Sequence, residues 1–194
     1  GNGRPDWDVV AVFVTGVWVM RSAGCVINDY LDRHVDPFVE RTRDRPLAAG
    51  RVYPNEALAL FGLLMAIALA LALLCNRMTL LLAFGGAFLA ATYPLMKRYT
   101  YLPQVYLGMA FGWAVPMAWA GQTGEFPPAL AWLVFLTAVV WAVIYDTQYA
   151  MVDRDDDLRI GVKSTAILFG ELDRPILAAL QALMLLALLL IGRQ

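Results

Sequence analysis

Six long runs of apolar residues decide what this chain can fold into: Val9–Ile27, Ala57–Cys75, Met78–Met96, Leu102–Gly121, Phe126–Tyr145 and Pro175–Gly192. Each is 18 to 20 residues long, and about 20 residues at a 1.5 Å rise cross a 30 Å hydrocarbon layer. One charge, Arg21, lies in the first run, and the other five runs carry none. At mid-membrane that side chain costs roughly 2.5–3.5 kcal/mol, but it stands within two turns of the run's end, where it can snorkel or pair. No run alternates apolar with polar residues, so helices are what satisfy the backbone in lipid. With 60% apolar and 16% charged residues, the chain is no soluble globule, disordered segment or disulfide-stapled secreted domain. The expected fold class is all-α: a polytopic transmembrane helix bundle with six visible spans, read as one domain over residues 1–194.

The charges between the runs alternate. Eleven Lys and Arg fall in residues 28–56, 97–101 and 146–174, whereas Arg4, Arg77 and Arg193 stand on the other side. The positive-inside rule puts the eleven in the cytoplasm. Cys25 and Cys75 then lie near opposite faces, and no disulfide between them is expected. Residues 1–8 lack the basic segment and cleavage site of a signal peptide. They form a short polar lead-in to a span, as if cut from something longer, so truncation at one or both ends is expected. The net charge of −1 averages over these segments and gives no footing for nucleic-acid binding.

Two acidic clusters follow the first and fifth runs. The first reads Asn28-Asp29-Tyr30-Leu31-Asp32-Arg33-His34-Val35-Asp36. In a helix continued past the apolar run, Asp29, Asp32 and Asp36 share one face. The second runs from Asp146 to Asp157, with Asp146, Asp153 and Asp157 on one helical stripe. Four crossings separate the clusters, so both emerge on the same side, as a duplicated four-helix unit would give. Carboxylates crowded in this way raise one another's pKa unless a cation intervenes. Together with an amide oxygen they are the hard ligands that suit Mg²⁺, which takes one or two carboxylates and completes its octahedron with water and phosphate. The bland alternative, a pair of solvated acidic loops, fits either cluster alone better than it fits both in register on one side.

Cations surround the clusters. Arg41, Arg43 and Arg45 follow the first, Lys97 and Arg98 close the third run, and Lys163 follows the second. Topology alone explains any one of them; Lys97 and Arg98, directly after an apolar helix, are best placed to point into a cavity mouth. Acid-held metal ringed by cations is the chemistry of a diphosphate clamp. At the mouth of an apolar bundle it suits a prenyl diphosphate, with the head in the polar site and the tail in lipid or between helices. Breaking the allylic C–O bond leaves a diphosphate anion for metal and Lys/Arg to stabilise, and a carbocation that needs a water-poor chamber.

These residues resemble the UbiA superfamily of intramembrane prenyltransferases. Asn28-Asp29-x-x-Asp32-x-x-x-Asp36 is similar to its first aspartate-rich motif, and Asp153-x-x-x-Asp157 to its second. Tyr145–Gly170, Arg41-Thr42-x-x-Arg45-Pro46-Leu47 and Tyr93-Pro94-x-x-Lys97-Arg98-Tyr99 look like the 4-hydroxybenzoate polyprenyltransferase branch. The resemblance covers nearly the whole chain. It implies Mg²⁺-dependent transfer of a polyprenyl group from its diphosphate to the carbon ortho to the hydroxyl of 4-hydroxybenzoate, a step of ubiquinone synthesis at the bacterial inner membrane with the site facing the cytoplasm. It implies that Asn28, Asp29, Asp32, Asp36, Asp153 and Asp157 hold Mg²⁺–diphosphate and that Arg98 contacts diphosphate or the acceptor carboxylate. The expected catalytic set is Asp32, Asp36, Asp153, Asp157 and Arg98; Asn28, Arg45, Lys97, Lys163 and, with less weight, Asp146 are expected to bind substrate. The family's nine-helix bundle implies one helix before Val9 and two after Gly192.

His34 is expected to be an exposed loop residue rather than a base. Trp7, Tyr53, Tyr99, Tyr101 and Tyr145 read as the aromatic belt of a membrane protein, and Tyr149, one turn after Asp146, is the candidate for guarding a cation. Gly108-x-x-x-Gly112 reads as close helix packing. A divalent-cation transporter would also use membrane carboxylates, but a permeation path needs polar groups near the midplane, and the runs after the first have no charge there. Other acceptors (a naphthoate, homogentisate, haem or a glycerol-phosphate lipid) are separated from 4-hydroxybenzoate by the resemblance alone. A structural subunit would tolerate Asp→Ala in both clusters.

Overall fold

A computed structural model of the chain describes residues 4–38, 40 and 42–193. Among the described residues there are helices and turns and no strand. The helices are α1 (Trp7–Asp32), α2 (Pro54–Leu73), α3 (Arg77–Tyr99), α4 (Pro103–Gly112), α5 (Ala114–Thr123), α6 (Ala129–Val152), α7 (Arg154–Ile160), α8 (Thr165–Phe169) and α9 (Asp173–Ile191). Short 3₁₀ turns at Asp36–Phe38 and Gly170–Leu172 complete the regular structure.

The helix ends are written in the sequence. Asp6 caps α1 by accepting from the Asp8 N–H at 3.0 Å. Pro54 opens α2, where its missing N–H costs nothing, and the Glu56 carboxylate reaches back to the Tyr53 N–H at 2.8 Å. Asn76 caps α3 by accepting from Thr79 N at 2.9 Å.

Five stretches are long and apolar enough to cross a membrane: Trp7–Asp32, Pro54–Leu73, Arg77–Tyr99, Ala129–Val152 and Thr165–Ile191, the last combining α8 and α9. The remaining expected run, Leu102–Gly121, is helical along its length but not continuous. That run folds as two ten-residue helices, α4 and α5, meeting at Trp113. Pro116 has no N–H for the carbonyl of Gly112, so the hydrogen-bond ladder fails one turn before it.

The chain divides into two compact units, Gly1–Leu80 and Leu81–Gln194. In the first, α1 packs on α2. Cys25 and Cys75 are both free thiols, as expected. In the second, α6 is the core: Ala131, Phe135, Val139, Ala142, Val143 and Ile144 are buried, and α4, α5, α8 and α9 pack around it. Leucines such as Leu63 and Leu73 on α2 and Leu185 and Leu189 on α9 stay exposed, as suits helices whose solvent is lipid.

The small-residue pattern of α4 packs as expected. A Cβ built on Gly108 would lie 2.8 Å from the Val139 carbonyl oxygen, and one on Gly112 3.1 Å from the Phe135 ring. The backbones of α4 and α6 therefore approach to a distance that glycine alone permits. Gly108→Ala is expected to destabilise the protein by about 1–3 kcal/mol, the usual scale of overpacking, read as a lower thermal midpoint in detergent. At the break between α4 and α5, the Trp113 indole N–H donates to the Leu82 carbonyl at 2.7 Å. Its ring lies over Gly85 and Gly86 and meets Trp132 and Phe135 edge-on at 6.0 and 5.7 Å.

Candidate active site

In the first unit the acidic cluster starts inside α1 and ends outside it. Asn28, Asp29 and Asp32 occupy the last turns of the helix, which stops at Asp32. Pro37 offers no N–H to the Arg33 carbonyl and disfavours helical geometry in the residue before it, so Asp36 falls on a separate 3₁₀ turn. The expectation that Asp29, Asp32 and Asp36 form one continuous helical stripe is corrected here.

A side chain does what the helix does not. Arg45 Nη1 lies 3.2 Å from Asp29 Oδ1 and 3.1 Å from Asp36 Oδ2, bridging the helix and the turn. Thr42 Oγ1 adds a hydrogen bond to the Asp36 carbonyl at 3.1 Å. Asp32 and Asp36 are 2% and 5% exposed, so these carboxylates sit where an uncompensated charge is costly. Arg43 and His34 are exposed, the latter as expected; Arg41 lies outside the described residues. Arg45→Ala is expected to lower stability by about 2–3 kcal/mol, below the 3–5 kcal/mol of a fully buried pair because the guanidinium is partly exposed. Thermal denaturation in detergent reads it, with Arg45→Lys recovering part of the loss.

The second cluster is likewise divided. Asp146 is on α6, Asp153 stands at the junction of α6 and α7, and Asp157 is in the first turn of α7. The continuous stripe through all three is therefore corrected too, although the Asp157 N–H still donates to the Asp153 carbonyl at 2.9 Å, keeping those two one turn apart. Asp155, Asp156 and Asp157 favour the positive N-terminal end of α7. Gly161, at φ +73°, closes it in a conformation that side chains rarely adopt.

Beyond Gly161 the chain turns back to the end of α3. The Lys163 N–H donates to the Lys97 carbonyl at 2.9 Å, and Lys163 Nζ donates to the Tyr99 carbonyl at 3.3 Å. The same ammonium is 5.4 Å from the centre of the Tyr101 ring. These contacts satisfy carbonyls that a helix C-terminus leaves open. They bring Lys97 and Arg98, on the last turn of α3, to the segment that follows the second acidic cluster.

Several positioning groups escaped the sequence reading. Thr165 N–H donates to Gln104 Oε1 at 3.0 Å, and the Thr165 and Thr147 hydroxyls are 2.6 Å apart, all three residues buried. This polar knot ties the starts of α4 and α8 to α6 beside Asp146. Arg154 Nη2 donates to Asp173 Oδ2 at 2.6 Å. An acid just ahead of an apolar run was the available signal for Asp173; Gln104 and the threonines gave none. On α6, Trp141, Tyr145 and Tyr149 form an aromatic row with ring centres 4.8 and 6.3 Å apart, and Tyr149 is exposed.

Among the described residues, no three His, Cys, Asp or Glu side chains gather closely enough to hold a metal ion unaided. The guanidinium between Asp29 and Asp36 marks that position as one that attracts a cation.

The UbiA prenyltransferase family matches this sequence over residues 1–193. The chain belongs to that family. A UbiA-family relative from Methylococcus capsulatus, "4-hydroxybenzoate octaprenyltransferase", is 61% identical over 193 residues, covering 100% of this chain and 66% of that protein. One of the same description from Nitrosococcus oceani is 62% identical over 192 residues, covering 99% of this chain and 67% of its own length. The chain thus spans about two thirds of the length of these relatives. Among solved structures, a UbiA homolog from Aeropyrum pernix K1 in its apo form superposes with a TM-score of 0.79 at 29% identity, covering 96% of this chain and 69% of that one. A UbiA homolog from Archaeoglobus fulgidus bound to GPP and Mg²⁺ has a TM-score of 0.77 at 20% identity, covering 97% and 67%. Family membership and five membrane-length helices make this a multi-pass membrane protein.

Proposed function

We propose that the protein transfers a polyprenyl group from polyprenyl diphosphate to the ring of 4-hydroxybenzoate, ortho to the hydroxyl, with Mg²⁺, as a step of ubiquinone biosynthesis. The observation that carries the acceptor is the high identity, along essentially the whole chain, to relatives described as 4-hydroxybenzoate octaprenyltransferases. The carboxylates support the metal, and the A. fulgidus protein of like fold, solved with GPP and Mg²⁺, accords with it. The reading puts this chemistry at the cytoplasmic face of the bacterial inner membrane.

In this reading Asp29, Asp32 and Asp36, with the Asn28 amide oxygen, and Asp153 and Asp157 hold Mg²⁺–diphosphate. The metal, when bound, offsets the charge that develops on the diphosphate as the allylic C–O bond breaks. Arg45, which bridges Asp29 and Asp36, moves its charge toward the diphosphate. Lys97 and Arg98 bind the diphosphate or the acceptor carboxylate. Lys163, tied to the Tyr99 carbonyl, serves as the brace that keeps that pair beside the second acidic segment. Asp146, next to the buried Thr147–Thr165 contact, lines the polar mouth, and the exposed Tyr149 ring extends it.

Membranes carrying the full chain, given labelled 4-hydroxybenzoate, polyprenyl diphosphate and Mg²⁺, are expected to move the label into the lipid phase. Labelled naphthoate or homogentisate being prenylated in its place would overturn the acceptor. Cation flux in liposomes without prenyl transfer would overturn the reaction.

A further inference from the structure

Gln104 stands outside the proposed diphosphate clamp, yet this polar side chain is 6% exposed. It is the second residue of α4, and its Oε1 accepts at 3.0 Å from the N–H of Thr165, 61 residues later in the chain. Thr165 is fully buried and is the first residue of α8. The first N–H groups of a helix find no acceptor inside it. The local cap does not serve this one, because Ser164 Oγ accepts from the Ile167 N–H at 3.3 Å instead. Gln104 thus caps α8 from another helix. The Thr165 hydroxyl, 2.6 Å from that of buried Thr147, fixes the same residue to α6. Two residues earlier, Lys163 donates its N–H to the Lys97 carbonyl at 2.9 Å and its ammonium to the Tyr99 carbonyl at 3.3 Å. Residues 163–165 are therefore held by the last turn of α3 at one end and by Gln104 and Thr147 at the other. Thr100–Leu102 alone separate α3 from α4, so the segment lies across a tight corner that Gln104 grips from the α4 side.

We infer that Gln104 is a positioning residue: by holding Thr165 it keeps residues 163–165 against the end of α3, and so sets where Lys97 and Arg98 stand for substrate. The inference rests on the reading that Lys97 and Arg98 bind the diphosphate or the acceptor carboxylate. An apolar side chain at position 104 leaves the Thr165 N–H buried without an acceptor, a cost that displaces the segment. A general loss of packing lowers the amount of working protein, and with it the apparent kcat. Loss of positioning instead weakens the grip on an anionic substrate and appears in KM.

The test is initial rates in membranes carrying the full chain, with polyprenyl diphosphate and 4-hydroxybenzoate varied in turn and the protein quantified by immunoblot. Lys97→Met and Arg98→Met, made singly, show which substrate's KM depends on that pair. Gln104→Leu is expected to raise the same KM about tenfold, with kcat within about threefold of the wild type. Gln104→Glu keeps an acceptor oxygen at the same reach and is expected to recover most of the loss. Thr165→Pro removes the same hydrogen bond from the donor side, and proline is accepted at the first position of a helix. It is expected to raise that KM at least as much, since it also loses the Thr147 contact, and it decides if Gln104→Leu does not fold. An unchanged KM in either folded variant, a fall in kcat alone, or a Gln104→Glu no better than Gln104→Leu overturns the inference. If neither Lys97→Met nor Arg98→Met alters a KM, or the wild type transfers no prenyl group, the reading of the site itself fails and the inference falls with it.

Discussion

Asp32→Ala is expected to slow prenyl transfer about 1000-fold, and Asp153→Ala by a similar factor. Asp32 ends α1 with 2% of its surface exposed, in surroundings where one carboxylate–cation interaction is worth about 4 kcal/mol at 4 Å and an effective dielectric near 20. At 1.36 kcal/mol per tenfold, that is roughly three orders of magnitude. The double variant carries the sharper information. Where either single change already disables the transfer, the pair together is expected to be little slower than the worse single. Initial rates of labelled product in membranes, normalised to protein by immunoblot, read all three. Losses that multiply would mean that the two segments act in separate places, and no loss at all would return the protein to a structural role.

Metal removal is the second large effect. EDTA is expected to abolish transfer and added Mg²⁺ to restore it, with the far-ultraviolet circular dichroism unchanged throughout. The invariance of the helix signal follows from Arg45: its guanidinium holds Asp29 to Asp36, so the turn after α1 does not depend on a metal to keep its carboxylates together. The helices themselves rest on apolar burial and close packing, such as that of Gly108 against Val139. Product formation that persists in EDTA would contradict the metal clamp, and a loss of helix in EDTA would assign the ion a structural part.

Legibility in the sequence followed the range of the forces involved. Hydropathy reports on each segment's exchange with lipid, which is local, and five of its six runs lie in helical stretches of membrane length. It does not show the break inside Leu102–Gly121, because composition does not register one missing N–H at Pro116. Helical periodicity grouped the aspartates but carried the helix too far at both clusters. Pro37 ends the first stripe and the α6–α7 junction at Asp153 breaks the second. Arg45 was legible as a cation near the first cluster, whereas its bridging of Asp29 and Asp36 was not. Gln104, Thr147 and Thr165 could not be found at all, since a buried polar contact between residues 61 apart leaves no periodic trace.

The amino-acid order alone determined that this chain is helical, that it lives in a bilayer, and that its polar chemistry is concentrated in two aspartate-rich segments flanked by Arg and Lys, because each follows from short-range transfer free energies and from charge per segment. Tertiary structure decided which charges are spoken for: Arg45 by Asp29 and Asp36, Arg154 by Asp173, Lys163 by the end of α3. Ion pairing depends on distances of about 3–4 Å between groups remote in the chain, where the Coulomb term is large and desolvated, and only folding sets those distances.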